Sequence, residues 1–214
     1  MYGTYGISWT VRDVMTRSVV AVGPDAGFKE IVRLLHGHGV GALPVVAGNG
    51  RVVGVVSEAD LLPKEEFRDS DPDRRTRLSR LSDLAKAGGV RAGELMTAPA
   101  LTVAPGATLA EAARVMARSG VRRLPVVDGR GVLVGVVGRG DLLTVFLRDD
   151  EEIAEQVRRE IVAYLFPLPD SAVRVEVREG AVTLGGRVRD TSLIPVAARL
   201  IRAVEGVVDV DFTP

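Results

Sequence analysis

The sequence contains no cysteine, which excludes disulfide bonds, thiolate metal sites and thiol catalysis and favours a reducing compartment. It has no excess of charge, because 28 basic residues balance 28 acidic ones, so no overall field favours nucleic acid or an anionic membrane. No run approaches the roughly 20 apolar residues that cross a bilayer, and the first residues lack the pattern of a secretory signal. We therefore expect a cytoplasmic protein that does not bind nucleic acid.

Motifs of catalysis and metal binding are also missing. The sequence has no G-x-x-x-x-G-K-[ST] phosphate loop, no G-x-S-x-G nucleophile motif and no H-E-x-x-H metal motif. His36 and His38 lie two residues apart, which does not place them well on one helical face, and no third ligand is near in sequence. We therefore expect no catalysis, no metal site and no cofactor.

What the sequence does contain is an internal repeat. Shifting the chain by 81 residues aligns 11–62 with 92–143 without a gap, and 22 of the 52 aligned positions are identical. Both copies contain a Leu-Pro-Val-Val segment and, near their ends, an aspartate, Asp60 or Asp141. Two copies of one structural unit are therefore expected.

Each copy predicts the order β-α-β-β-α. A short apolar strand, Val19–Val22 or Ala100–Val103, leads through a proline into a helix that ends at a glycine. In the second copy, Thr108 and Glu111 have the spacing of a helix capping box. Two strands joined by a glycine-containing turn follow, and then a final helix. Because each sheet keeps an exposed apolar face, we expect the two copies to pack together with a cleft between them.

Residues 63–89 interrupt the repeat. Thirteen of these 27 residues are charged, and Asp71-Pro72-Asp73 breaks any helix. The segment is interpreted as a solvated connector, with a regulatory or partner-binding role as the alternative. Its last part, with Leu78, Leu81, Leu84 and Ala85 at helical spacing, could pack on the repeats.

The tail, from about residue 150, has a different pattern. An amphipathic helix comes first, and Val173–Val177 then alternates apolar and polar residues before a turn at Glu179-Gly180 and a returning strand. A helix at about 195–204 and a strand at about 207–212 complete the order α-β-β-α-β. About 65 residues is near the lower size limit for a domain that folds alone.

These residues carry a resemblance to two known families. The duplicated Met-Thr, Leu-Pro-Val-Val and Val-Gly-Val-Val segments, with the closing aspartate, resemble a CBS-domain pair (a Bateman module) over 9–146. The tail, with its "VTLGGRV" strand, resembles a BON domain. The resemblance implies an α/β fold with pseudo-two-fold symmetry. The expected domains are a first CBS repeat at 9–62, the connector at 63–89, a second repeat at 90–146 and the BON domain at 150–214.

The resemblance also implies a function. CBS pairs are ligand sensors without catalysis of their own, usually bind adenine nucleotides such as AMP, ADP or ATP, and commonly form homodimers. In an [ST]-x-x-D motif the hydroxyl helps hold ribose or phosphate, and the aspartate accepts hydrogen bonds from the ribose hydroxyls. BON domains are linked to phospholipid surfaces or protein partners. The alternative function is therefore an adaptor that acts through the BON domain, with the CBS pair as a dimerisation scaffold.

The first expected cleft, which we call the Asp60 site, keeps the full Ser-x-x-Asp motif. No cation precedes its Leu-Pro-Val-Val segment, and Glu58 would repel a phosphate. The resemblance implies that the second repeat lines its adenine slot. Its expected residues are Ser57, Asp60, Thr97, Leu101 and Val121.

The second expected cleft, the Asp141 site, has Gly138 in place of the motif hydroxyl. It has gained two arginines before Leu-Pro-Val-Val and a third beside the closing helix. The first repeat is expected to line its adenine slot. Its expected residues are Asp141, Arg122, Arg123, Arg139, Thr16, Val20 and Val40.

These differences predict unequal binding. Charge-assisted hydrogen bonds are roughly twice as strong as neutral ones, so the arginines should outweigh one missing hydroxyl. We expect a phosphorylated adenine nucleotide at the Asp141 site, and a less charged adenosyl compound or nothing at the Asp60 site.

The alternatives are that the two aspartates only cap their helices and that the arginines are ordinary surface charge. The tail has a net charge of −4, which argues against attraction to anionic lipid.

Overall fold

The computed structural model describes residues 9–68, 80–167 and 172–213. The chain divides into two units, Met15–Arg139 and a second one that combines Met1–Val14 with Gly140–Pro214. Asp71-Pro72-Asp73 and Leu78 of the connector lie outside the described residues. The helix α1 (Val11–Val14) belongs to the second unit. The elements of the first unit are, in order, α2 (Phe28–His38), β1 (Ala42–Val46), β2 (Val52–Ser57), α3 (Glu58–Leu61), α4 (Pro63–Glu66), α5 (Leu81–Gly88), α6 (Ala92–Leu95), α7 (Leu109–Ser119), β3 (Arg123–Val127) and β4 (Leu133–Gly138).

The repeat predicted from the sequence is present in the structure. β1 pairs with β2 and β3 pairs with β4, both antiparallel, and each pair has a register shift at the same place. The helices α2 and α7 end at Gly39 and Gly120, whose φ values of 61° and 66° lie in the left-handed region that glycine adopts without strain. The α/β fold class is confirmed.

The beginning of α7 is also as predicted. Thr108 Oγ1 accepts from the backbone N–H of Glu111 at 3.2 Å, and Glu111 Oε2 accepts from the N–H of Thr108 at 2.9 Å. The hydrogen bond from the backbone N–H of Thr108, and after it one from the Thr108 side chain, hold the pKa of the Glu111 carboxylate below its ordinary value. The equivalent helix α2 begins after Gly27, which provides no side-chain cap.

The short first strand of each repeat is smaller than predicted. Within Val19–Val22 only Val22 pairs, in parallel with Val45, and within Ala100–Val103 only Val103 pairs, with Val126. The Val22 N–H donates to Pro44 O at 3.0 Å. Proline has no N–H to return, so the ladder cannot continue on that side of β1.

The core of the first repeat lies between α2 and the β1–β2 pair. Ile31, Leu43, Val45 and Val56 are fully buried there. At the positions 81 residues later, Ala112, Leu124, Val126 and Val137 are fully buried as well. The two repeats therefore bury the same positions, which is what a duplicated unit requires.

The second unit has the predicted order α-β-β-α-β. The strands β5 (Ala172–Arg178), β6 (Ala181–Arg187) and β7 (Asp209–Thr213) form one sheet in that order, with β5 and β6 antiparallel and β6 and β7 parallel. Asp150 accepts from the N–H groups of Glu179 and Gly180 and so ties the hairpin turn to the first helix. The elements of the second unit after α1 are α8 (Arg139–Leu143), α9 (Asp150–Val157), a π-helical turn (Arg158–Val162), α10 (Ala163–Leu165), β5 (Ala172–Arg178), β6 (Ala181–Arg187), α11 (Ile194–Ile201) and β7 (Asp209–Thr213). The first residue of α8, Arg139, belongs to the first unit.

No helix in the described part of the chain is both long and apolar enough to span a bilayer.

Candidate functional site

The leading segment of each repeat is hydrogen-bonded to the sheet of the other repeat. Thr97 and Val55 exchange two backbone hydrogen bonds of 2.8 and 3.1 Å, and Thr16 and Val136 exchange two of 2.9 Å. These exchanged bridges bring Thr97, from the second repeat, to the end of β2 in the first. The sequence predicted this exchange of residues between repeats for the Asp60 site.

Close packing accompanies the bridges. A Cβ atom added to Gly54 would lie 2.4 Å from Met96 Sδ, and one added to Gly135 would lie 2.6 Å from Met15 Sδ. Both glycines are in the Val-Gly-Val-Val segments, and both methionines come from the opposite repeat. The repeated glycine therefore leaves room for the residue that precedes each bridging threonine.

Asp60 is the centre of the Asp60 site. It is 8% exposed and is the only charged or polar residue classed as buried in the described part of the chain. Its Oδ2 atom accepts from the Ser57 N–H at 2.8 Å and from Ser57 Oγ at 2.6 Å. This oxygen therefore caps the start of α3, which is the role expected from the sequence as the alternative to ligand binding.

The second oxygen of Asp60 faces the opposite repeat and the connector. Asp60 Oδ1 accepts from Thr97 Oγ1 at 3.1 Å and forms an ion pair with Lys86 Nζ. Lys86 also donates to Thr97 Oγ1 at 3.0 Å. Capping thus accounts for only one of the two carboxylate oxygens.

Sequence reasoning missed Lys86. The residue lies on α5, in the segment interpreted as a solvated connector. In the structure, residues 81–88 form a helix that contacts the Asp60 site through Lys86, which agrees with the helical spacing noted for the last part of the segment. Two signals could have found it. The helical spacing of the segment was one, and the rarity of lysine was the other, since only Lys29, Lys64 and Lys86 occur among 28 basic residues.

Two further basic residues hold α5 in place. Lys64, on α4, donates to the backbone oxygen of Ala87 at 2.8 Å. Arg80, just before α5, donates to Asp83 at 2.7 Å and to Glu66 at 2.9 Å. The hydrogen bond from Arg80 lowers the pKa of Glu66, so the carboxylate stays charged and keeps its partner. The end of the connector is therefore anchored to α4 near the residue that pairs with Asp60.

The remaining residues of the Asp60 site are apolar. Leu101 is 45% exposed, and Val121 is half-buried. The described hydrogen bonds bring together Ser57, Asp60 and Thr97 and add Lys86. An apolar contribution from Leu101 and Val121 stays a prediction.

The Asp141 site is divided between the two units, and each part is described by itself. In the first unit, Arg122, Arg123 and Arg139 are exposed, and Arg139 Nη2 donates to the backbone oxygen of Val121 at 3.1 Å. Thr16 is exposed in its bridge with Val136, and Val20 and Val40 pack against the core of the first repeat. In the second unit, Asp141 lies in α8, where its backbone oxygen accepts from Thr144 Oγ1 at 2.7 Å. The assembly of these residues into one site stays a prediction.

The two repeats carry opposite charges at equivalent positions. The backbone N–H of Glu58 donates to Gly41 O, and that of Arg139 donates to Arg122 O, both at 3.1 Å. A Cβ atom on Gly41 would lie 3.2 Å from Glu58 Oε2, so this carboxylate covers the position where the second repeat has an arginine. An anion would therefore be repelled at the first repeat and attracted at the second.

Two other features of the molecule bear on possible binding sites. Within the described ranges, no three His, Cys, Asp or Glu side chains are grouped so as to hold a metal ion. The second unit has an open cavity of about 480 Å³ lined by Trp9, Arg148, Gln156 and several glutamates of α9.

The chain matches models of two protein families. The CBS-domain model matches residues 11–64 and 92–148, and the BON-domain model matches residues 149–211. Among similar proteins, CBSX2, a chloroplastic CBS domain-containing protein of Arabidopsis thaliana, is 33% identical over 67% of this chain and 66% of its own length. The CBS domain-containing protein YhcV of Bacillus subtilis is 31% identical over 62% of this chain and 82% of its own length.

A solved structure is similar as well. The crystal structure of CBSX2 in complex with AMP has a TM-score of 0.58 and 35% identity, and the match covers 65% of this chain and 97% of that one.

Proposed function

Since this chain belongs to the CBS-domain family and carries a C-terminal BON domain, we propose that it is a non-catalytic sensor that binds an adenine nucleotide between its repeats. The observation that carries the proposal is the charge of the second repeat, where Arg122, Arg123 and Arg139 are exposed and can bind a phosphate. A similar protein, CBSX2, was crystallised with AMP, which supports a nucleotide as the ligand class.

The chemistry of an adenine nucleotide suits the residue types. A ribose offers two hydroxyl donors, and an ionised carboxylate only accepts, so one aspartate can take both hydroxyls. A phosphate needs cations or free N–H groups, and the second repeat offers three exposed arginines where the first offers Glu58 and no arginine. The nucleotide therefore binds at the Asp141 site, with its phosphate on Arg122, Arg123 and Arg139, its ribose on Asp141 and its adenine against Thr16, Val20 and Val40.

The BON domain is the output element in this proposal. It follows the second repeat directly in sequence, so a change in the orientation of the repeats can reach it. A nucleotide shifts such an equilibrium only by its different affinity for the two arrangements. We expect the chain to work as a cytoplasmic homodimer, and its partner to be a protein bound by the BON domain.

Thermal-shift measurements on the full chain test the ligand class. Addition of AMP, ADP or ATP raises the melting temperature, because a ligand specific to the native state stabilises it by mass action. S-adenosylmethionine and NAD complete the panel and separate the nucleotides from other adenosyl compounds. A melting temperature unchanged by every adenosine derivative would reject the proposal.

Calorimetric titration of AMP into two variants tests the location. Asp141→Asn weakens AMP binding by about tenfold or more, which corresponds to the loss of one hydrogen bond to a charged group. Asp60→Asn leaves AMP binding unchanged. The reverse pattern, in which Asp60→Asn abolishes binding and Asp141→Asn does not, would move the nucleotide to the other site.

A further inference from the structure

The Asp60 site is filled by a residue of its own chain. The Lys86 ammonium pairs with Asp60 Oδ1 and donates to Thr97 Oγ1 at 3.0 Å. The Lys86 side chain is 20% exposed and that of Asp60 is 10% exposed, so this ion pair is largely withdrawn from water. With Oδ2 on Ser57 and Oδ1 on Lys86 and Thr97, both carboxylate oxygens are engaged.

The atoms that Lys86 contacts are those that a sugar would need. A ribose can bind Asp60 only through its hydroxyl donors, since an ionised carboxylate provides acceptors alone. The Lys86 ammonium is a donor on the one oxygen that capping leaves available. The lysine and a sugar hydroxyl therefore compete for Asp60 Oδ1.

We infer that Lys86 determines the specificity of the Asp60 site, because it occupies the ribose-accepting oxygen and so excludes adenosine compounds while α5 stays docked. The inference rests on the proposed function, in which the closing aspartates accept ribose hydroxyls. It gives a physical cause for one of the two expectations for this site, that it stays empty.

The energetic argument compares a charged donor with a neutral one. Hydrogen bonds to charged groups contribute about 1.5–3 kcal/mol and neutral ones about 0.5–1.5 kcal/mol, so a hydroxyl is the weaker partner for Asp60 Oδ1. A ligand that displaced Lys86 would also leave a partly buried ammonium without its carboxylate, which adds a further cost. Uncharged adenosine provides no anion to replace that carboxylate, so it is excluded most strongly.

The anchoring of α5 keeps the lysine in position. Lys64 donates to Ala87 O, one residue after Lys86, and Arg80 connects the start of the helix to α4 through Glu66. Lys64 also lies over the ring of Phe28, with its Nζ 5.3 Å from the ring centre. Displacement of Lys86 must therefore either loosen these contacts or move the lysine alone.

The test is a calorimetric titration of the full chain with AMP and with adenosine. Lys86→Gln removes the positive charge, and we expect it to raise the affinity of the Asp60 site for both ligands by about tenfold or more, so that a second binding event appears. The double variant K86Q/D60N loses this event, which places it at Asp60. Lys86→Arg keeps the charge and keeps the site filled. Lys29→Gln, a change at an exposed lysine of α2, is the matched control and binds as the wild type does.

A second variant covers the case in which Lys86→Gln does not fold. Lys64→Ala leaves Asp60, Thr97 and Lys86 intact but removes the contact with Ala87, and we expect a smaller gain in affinity at the Asp60 site. Circular dichroism establishes which variants are folded.

The outcomes separate this inference from the proposed function. If the wild type binds AMP and neither folded variant gains a second event, the role of Lys86 is rejected and the proposed function stands. If the wild type and the variants all fail to bind AMP and adenosine, both are rejected. A second event that survives in K86Q/D60N also rejects the role of Lys86.

Discussion

The two repeats share a fold but not a binding surface. They bury equivalent residues, have the same register shift in their strand pairs and end their long helices with the same left-handed glycine. They differ in charge, since the first repeat has Glu58 and a lysine from the connector near Asp60, and the second repeat has three exposed arginines, Arg122, Arg123 and Arg139. Duplication thus preserved the residues that pack and changed the charged side chains at the predicted sites.

The largest expected effect concerns the shared core. Leu43→Ala and Leu124→Ala remove fully buried side chains at equivalent positions, and each should lower the free energy of unfolding by about 2–5 kcal/mol. Chemical denaturation of the two variants measures both values. A difference above about 2 kcal/mol between them would show that the repeats are not equivalent in packing.

The next effect concerns the arginines. The double variant R122A/R123A should weaken AMP binding by more than about tenfold, because two charge-assisted contacts to phosphate are lost. Titration at low and high salt should show a weaker salt dependence than in the wild type. Arg118→Ala, at an exposed arginine of α7, is the control. Equal losses in R118A and R122A/R123A would mean that only overall charge matters.

A smaller effect separates the two helix caps. Ser57→Ala removes a hydrogen bond of 2.6 Å to buried Asp60, while Thr108→Ala removes one of 3.2 Å at an exposed helix start. We expect each to cost about 0.5–2 kcal/mol of stability, with Ser57→Ala the larger because a buried carboxylate loses a donor. Thermal unfolding of both variants decides the order, and a larger loss in T108A would contradict it.

The missing cap of the first repeat can be supplied. Gly27 has φ −78° and ψ 156°, and a Cβ atom there would have nothing within 4 Å, so threonine fits without strain. Glu30 is already in the position that Glu111 has in α7. Gly27→Thr should therefore stabilise the protein by about 0.5 kcal/mol, measured as a rise in melting temperature. A fall in melting temperature would show that the two helices begin differently.

The smallest effect depends on pH. Because the folded state lowers the pKa of Glu111 from its ordinary 4.5, the carboxylate stabilises the fold above that pH and loses this contribution as the pH falls through the lowered value. The stability of the wild type and of Glu111→Gln should therefore converge in acid. A constant difference between their unfolding curves from neutral to acidic pH would rule out this role for the charge.

The sequence was sufficient for the fold because periodicity and duplication encode it. The family resemblance implied that each repeat contributes residues to the cleft of the other, and the structure shows Thr16 and Thr97 in bridges to the opposite repeat. The length of the first strands was not predicted. It depends on which edge of β1 the leading segment pairs with, and at that edge Pro44 has no N–H to donate. The capping role of Asp60 was foreseen as an alternative, and the structure gives this role to one of its two oxygens, which accepts from Ser57.

The contact of Lys86 with Asp60 was missed for a different reason. The connector has no counterpart after the second repeat, so the internal comparison contains no information about it. Lys86 reaches Asp60 from 26 residues away, and only the folded chain shows that contact. A high content of charged residues predicts an exposed segment on average. That average does not describe Lys86, because its partner Asp60 is buried.

The bridges at Thr16 and Thr97 also bear on how such a protein can be divided. Cutting the chain between the repeats leaves each fragment with a sheet edge whose partner residue is on the other fragment. A lone repeat could regain that partner only from another molecule, so it should self-associate rather than persist as a monomer. Mixing the two fragments should restore the native bridges. In the intact chain the two repeats are covalently linked, so formation of these bridges does not depend on protein concentration.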